Sequence, residues 1–176
     1  MGRGSRIVPL DRERLNAISA ELAEWLFRDY PWMEEHARME LPPQADESQG
    51  WWLLVELRAP HNPELELVVW VECGDEPSLG FGAWHTHGDL QEYLPGILEG
   101  RLVEGVDLQG DLPQPGVALV DLARPDDLLD ELTMKSASGR YRIRSWSGTM
   151  DCVLELIDPS LEERLRAMAR GLGAQS

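Results

Sequence analysis

The chain has 176 residues, 32 acids against 16 bases and a formal net charge of −16. A chain of that length forms one ordinary domain and buries roughly two-thirds of its unfolded surface, so stability alone requires neither a disulfide nor a metal. The longest apolar runs, such as Trp51 to Val55, fall far short of the roughly 20 residues that span a bilayer, and seven tryptophans with 43% hydrophobic content exclude disorder.

In chain order, Leu15, Ile18, Leu22, Trp25 and Leu26 recur at helical spacing between Asp11 and Asp29, with Asp11 placed as the N-cap. Tyr30 to Gln49, with Pro42-Pro43 and scattered acids, reads as a connection holding one further helical turn. Trp51 to Arg58 and Leu65 to Glu72 then read as an antiparallel hairpin. Trp51, Leu53, Val55 and Leu57 face the core on the first strand, and Leu65, Leu67, Val69 and Val71 do so on the second. The opposite face carries Trp52, Leu54, Val68 and Trp70, more apolar than a solvent face should be, which predicts a partial cover and makes this tryptophan-rich surface a candidate small-molecule site.

Ser78 to Thr86 reads as one glycine-punctuated strand. Asp89 and Glu92 match an acidic capping box that opens a helix, and Pro95-Gly96 predicts a kink or two short pieces within it. Gly105 to Gly116 reads as a loop, Val117 to Leu122 as a buried strand, and Pro125 to Leu132 as a short helix with Pro125 at its first turn. Arg140 to Trp146 and Thr149 to Ile157 form a second hairpin. A two-residue turn at Ser147-Gly148 makes paired positions sum to 295, so Ile143 meets Cys152, Tyr141 meets Leu154, Arg144 faces Asp151 and Arg140 faces Glu155. Asp158-Pro159 opens a terminal helix with Leu161, Leu165, Met168 and Leu172. The expected fold is a single α+β domain over residues 1–176, with 1–8 and 171–176 flexible. Its sheet is mainly antiparallel, of five or six strands, with N-terminal, central and C-terminal helices packed mostly on one face.

Charge is unevenly placed. Residues 1–30 balance five acids with five bases, residues 31–134 hold 22 acids and four bases, and residues 135–176 hold five acids and seven bases. A middle of −18 repels phosphate backbones, which argues against direct nucleic-acid binding. No apolar leader follows Met1, and Cys73 and Cys152 lie far apart in apolar strands, so buried thiols and a cytoplasmic location are expected. P-loop, G-x-G-x-x-G and G-x-S-x-G patterns are absent, and no catalytic residue is assigned. Paired acids such as Asp126-Asp127 and Asp130-Glu131 read as solvated helix surface.

The one concentration of chemistry-bearing residues is Gly80-Phe81-Gly82-Ala83-Trp84-His85-Thr86-His87-Gly88-Asp89. On extended backbone His85, His87 and Asp89 alternate onto one face, and two imidazoles with a carboxylate are a ligand set for a divalent metal such as zinc. The bland reading of the same residues is a glycine-shaped strand end with histidines that are hydrogen-bonded or half-exposed.

The run Gly80 to His87, preceded by Asp75-Glu76-Pro77, resembles a segment of uncharacterised small bacterial proteins, some of which look like immunity proteins of toxin systems. That resemblance implies a binding or inhibitor function and no catalytic residue. Two functions are therefore expected to compete. One is an acidic cytoplasmic binding protein that docks on a basic protein partner, with Trp84, His85, His87, Asp75 and Glu76 at the contact. The other is a small metal-dependent hydrolase with His85 and His87 as ligands and Asp89 as ligand or base.

Overall fold

The structure, a computed structural model, describes residues 5–43, 45–71, 76–108, 116–124 and 140–155. It is α+β, with a six-stranded sheet whose strands lie side by side in chain order and a separate four-stranded sheet. The α+β class and the antiparallel six-stranded sheet are as expected, and the four-stranded sheet is additional to them. The chain divides into two compact units, one of residues 1–58, 66–81 and 85–90, the other of residues 59–65, 82–84 and 91–176.

In the first unit, β1 (Arg6–Pro9) pairs antiparallel with β2 (Ala37–Leu41), which pairs antiparallel with β3 (Trp52–Ala59). Neither β1 nor β2 is anticipated, since Arg6–Pro9 falls largely in the stretch expected to be flexible and Ala37–Leu41 in the expected connection. Both strands are short, and β2 alternates only Ala37, Met39 and Leu41 against Arg38 and Glu40, too few residues to stand out. Pairing to β3 decides the matter. Ala37 lies opposite Val55 and Met39 opposite Leu53, so all four side chains enter one core.

The predicted N-terminal helix is interrupted. Asp11 caps only a short 3-10 turn, Arg12–Arg14, through a bond from the Glu13 amide. Leu15 is then extended and bridges Trp51, with the Asn16 amide donating to the Trp51 carbonyl at 2.9 Å. The helix proper, α1 (Ala17–Asp29), starts from Asn16, whose side chain accepts from the Ser19 amide at 2.8 Å. Leu22, Ala23, Leu26 and Phe27 of α1 are buried, and the Ser19 hydroxyl accepts from the Leu53 amide at 2.9 Å, tying helix to sheet. Trp51, 1% exposed, lies with the Arg6 and Arg14 guanidinium groups 4.7 and 4.8 Å from its ring centre. Replacing Asn16 by alanine is expected to cost about 1 kcal/mol, the ordinary value of an N-cap, read as a lower urea midpoint. The same replacement at Asp11, which caps only three residues, should cost measurably less.

β4 (Asn62–Val71) and β5 (Pro77–Phe81) pair antiparallel, Leu67 opposite Phe81 and Val69 opposite Leu79, with all four buried. The single strand expected over Ser78 to Thr86 is instead a hairpin. Gly82 and Ala83 make its turn, and β6 (Trp84–His87) returns at the edge of the sheet. Gly82 has φ +59°, which glycine adopts at no steric cost.

In the second unit, Leu94 and Ile97 of helix α2 (Leu90–Leu98) are fully buried. The helix runs through Pro95 as one element rather than as two short pieces, and Gly100 at φ +75° follows its end. A Cβ on Gly96 would come within 2.7 Å of Leu102, so glycine permits this close approach. β7 (Leu102–Asp107) occupies sequence expected to be partly loop and is buried along its whole length. It pairs antiparallel with β8 (Val117–Asp121) on one side and β9 (Arg140–Arg144) on the other. β9 pairs with β10 (Cys152–Glu155) in the predicted register, Ile143 to Cys152, Tyr141 to Leu154 and Arg140 to Glu155.

Of the two expected facing pairs, Arg144 with Asp151 does not form. Arg144 turns to Glu104 of β7, its register neighbour, with Nε and Nη2 at 2.6 and 2.5 Å from Oε2. Asp151 accepts instead from the Ser145 amide at 2.7 Å, holding a loop longer than the two-residue turn. Cys152 is half-buried rather than buried. Cys73, the expected helices over Pro125 to Leu132 and after Asp158, and the paired acids Asp126-Asp127 and Asp130-Glu131 lie outside the described residues.

Candidate functional site at the edge strand

The histidine segment forms the outermost strand of the six-stranded sheet. Strand alternation leaves His85 and His87 exposed, with Trp84 and Thr86 half-buried between them. The two imidazole rings stand 5.7 Å apart, centre to centre, at 77° to one another. On the neighbouring strand Ser78, fully buried, places its hydroxyl oxygen 2.9 Å from His87 Nδ1.

The same hydroxyl lies 3.4 Å from the Glu76 carbonyl, so it sits between that carbonyl and the His87 ring. The Gly88 amide donates to the Pro77 carbonyl at 2.8 Å, closing the hairpin just beyond His87. Ser78 is thus a positioning residue that inspection of the histidine motif alone overlooks.

The other expected site residues are placed as follows. Glu76 is exposed beside the hairpin, its Oε1 3.9 Å from where a Gly88 Cβ would stand. Asp89 is exposed at φ +46° and accepts no hydrogen bond from the helix it precedes. The expected Asp89–Glu92 capping box is therefore corrected: cap residues need extended backbone, and a left-handed φ does not supply it. Trp84 is half-buried and packs edge-on against Tyr93, centroids 5.4 Å apart. Asp75 lies outside the described residues. Among the described residues no three His, Cys, Asp or Glu side chains converge closely enough to hold an ion.

On the sheet face that carries Ser78, register places Trp70 opposite Ser78 and Val68 opposite Gly80, and Leu54 opposite Arg38 and Trp52 opposite Glu40. Trp52 and Leu54 are each 7% exposed, so this face is covered at Trp52, as the excess of apolar residues predicts. The Trp52 indole N–H is buried without a hydrogen-bond partner. No helix among the described residues is long and apolar enough to cross a membrane. Comparison with known proteins finds no family, no curated protein and no solved structure that matches this chain.

Proposed function

We propose that the chain is a binding protein of inhibitor or immunity type, an acidic domain that docks on a basic protein partner through the β6 edge. The supporting observation is the pairing of exposed recognition groups with unneutralised charge. His85 and His87 project from an edge strand, and Glu76 and Asp89 flank them with no ion pair to any described residue. Carboxylates without a cation partner among the described residues steer a positive surface toward the site, and an edge strand with imidazoles gives it polar groups to hold once it arrives. The net −18 of residues 31–134 extends the same field.

The test is capture of a basic protein on the immobilised chain, compared between wild type and a Glu76→Lys/Asp89→Lys variant at low and high ionic strength. Docking of this kind predicts an association rate at least about tenfold slower in the variant, and a wild-type rate that falls steeply with salt. A complex indifferent to both salt and charge reversal would overturn the reading.

A further inference from the structure

A cavity of about 250 Å³ opens beside the β9–β10 hairpin, lined among others by Asn62 and Glu64 of β4, Arg142 and Arg144 of β9, Asp151 and Val153. The geometry points to a binding site for a free α-amino acid with a cationic side chain, lysine or arginine. Its carboxylate would rest on Arg142 and its two cationic groups on Glu64 and Asp151.

Local structure explains why these charges are available. Strand alternation puts Arg140, Arg142 and Arg144 on one face of β9. Register sets Glu104 of β7 opposite Arg144, but Val106 and Val153 opposite Arg142 on its two sides. Arg144 is therefore neutralised by Glu104, whereas Arg142 is exposed and forms no ion pair with a described residue. Glu64 is also exposed and without an ion pair among the described residues, and its amide donates to Asn62 Oδ1 at 3.2 Å, a turn that fixes the start of β4. Asp151 accepts from the Ser145 amide and hydroxyl through Oδ1, at 2.7 and 3.2 Å, and Oδ2 accepts from no described residue.

One guanidinium and two carboxylates thus border one cavity without pairing with each other. Opposite charges held apart across a cavity call for a ligand that carries the complementary set. A guanidinium fork takes a carboxylate through two parallel hydrogen bonds, and each carboxylate takes an ammonium or guanidinium group. The ligand then needs one anionic and two cationic groups, which is the set that lysine and arginine carry at pH 7. A neutral amino acid leaves one carboxylate unmatched, and a C-terminal lysine within a chain lacks the α-ammonium, so the full set selects the free amino acid. Val153, 42% exposed, offers apolar surface to the aliphatic stem. The volume lies under the roughly 300–1,000 Å³ of pockets for drug-sized ligands, which suits a ligand the size of one amino acid.

The probes are L-lysine and L-arginine, each titrated into the full chain and followed by heat and by backbone amide shifts. Saturable one-to-one binding is expected, with the largest shifts in β9 and around Asp151. Cadaverine lacks the carboxylate, Nα-acetyl-L-lysine the α-ammonium and L-norleucine the side-chain cation, and each should bind at least about tenfold more weakly than L-lysine. Arg142→Met and Glu64→Gln should weaken L-lysine binding by a similar factor with unchanged melting, since both side chains are exposed. Asp151→Asn, which keeps an oxygen for the Ser145 amide, should weaken it too. Glu56→Gln removes an exposed carboxylate that does not line the cavity and should bind like wild type. Cadaverine binding as tightly as L-lysine would reduce the effect to general attraction by an acidic chain and overturn the site. Nα-acetyl-L-lysine binding as tightly would overturn the free amino acid in favour of a chain terminus. Absence of saturable binding, or binding that survives Arg142→Met, would overturn the proposal outright. Because no protein partner is added and no β6 residue is changed, the result is separate from that of the charge-reversal capture.

Discussion

Replacing Arg144 by methionine is expected to destabilise the protein by about 3–5 kcal/mol, the largest loss from any single charged side chain described. Glu104 is fully buried in β7, and Arg144 is 8% exposed beside it in β9. Removing the guanidinium leaves a carboxylate that keeps one hydrogen bond, from the Ala83 amide to Oε1 at 2.5 Å, and loses its counter-charge. A melting temperature lower by about 10 °C follows for a chain of this length. The neighbouring Arg142 is exposed, and Arg142→Met should change stability by less than about 0.5 kcal/mol. The informative variant is Glu104→Gln/Arg144→Met, which removes both charges and retains an acceptor for Ala83. It should recover most of the loss, because breaking a buried pair costs far more than deleting it. Urea denaturation of the three variants decides the point, and Arg144→Met behaving like Arg142→Met would refute it.

Gly82→Ala should cost nearly as much, about 3–5 kcal/mol, for two additive reasons. A left-handed φ of +59° penalises any side chain by about 1–2 kcal/mol. The new methyl group would also stand 2.3 Å from Glu104 Oε1, forcing the carboxylate off the Ala83 amide and away from Arg144. Gly88→Ala separates the two terms. Its φ is +70°, but the nearest atom to a Cβ there is Glu76 Oε1 at 3.9 Å, so it pays the backbone cost alone. In an Arg144→Met background the penalty of Gly82→Ala should shrink, since both substitutions break the same contact. Equal costs for Gly82→Ala and Gly88→Ala in the wild-type protein would contradict the steric account.

The second hairpin is legible in the sequence because its alternation and its charges agree on one register, and Ile143 does meet Cys152. What the same arithmetic misses is the third strand. A carboxylate between Val103 and Gly105, just before the expected loop, gives no strand signal, and the arrival of Arg144 from 40 residues away allows it to sit in a buried strand. Tertiary pairing of that kind leaves no local signal. At the edge strand the failure is different. Two glycines, Gly80 and Gly82, both suit a turn, and only a turn at Gly82-Ala83 brings Ser78 across from His87. The histidines themselves are visible from spacing, whereas the hydroxyl that orients one of them depends on where the chain reverses. The helix start is a third case: Asp11 and Asn16 are both good caps, and the bridge from Leu15 to Trp51 decides between them.

The chain passes between its two compact units after residues 58, 65, 81, 84 and 90. No single truncation therefore yields either unit whole, and dissection by expressing fragments is closed to this protein. Any residue that binds must be mapped by point substitution in the intact chain. For the same reason a protease cut at the β3–β4 connection would sever covalent continuity without releasing a domain, and the two pieces would be expected to stay associated until denaturant is added.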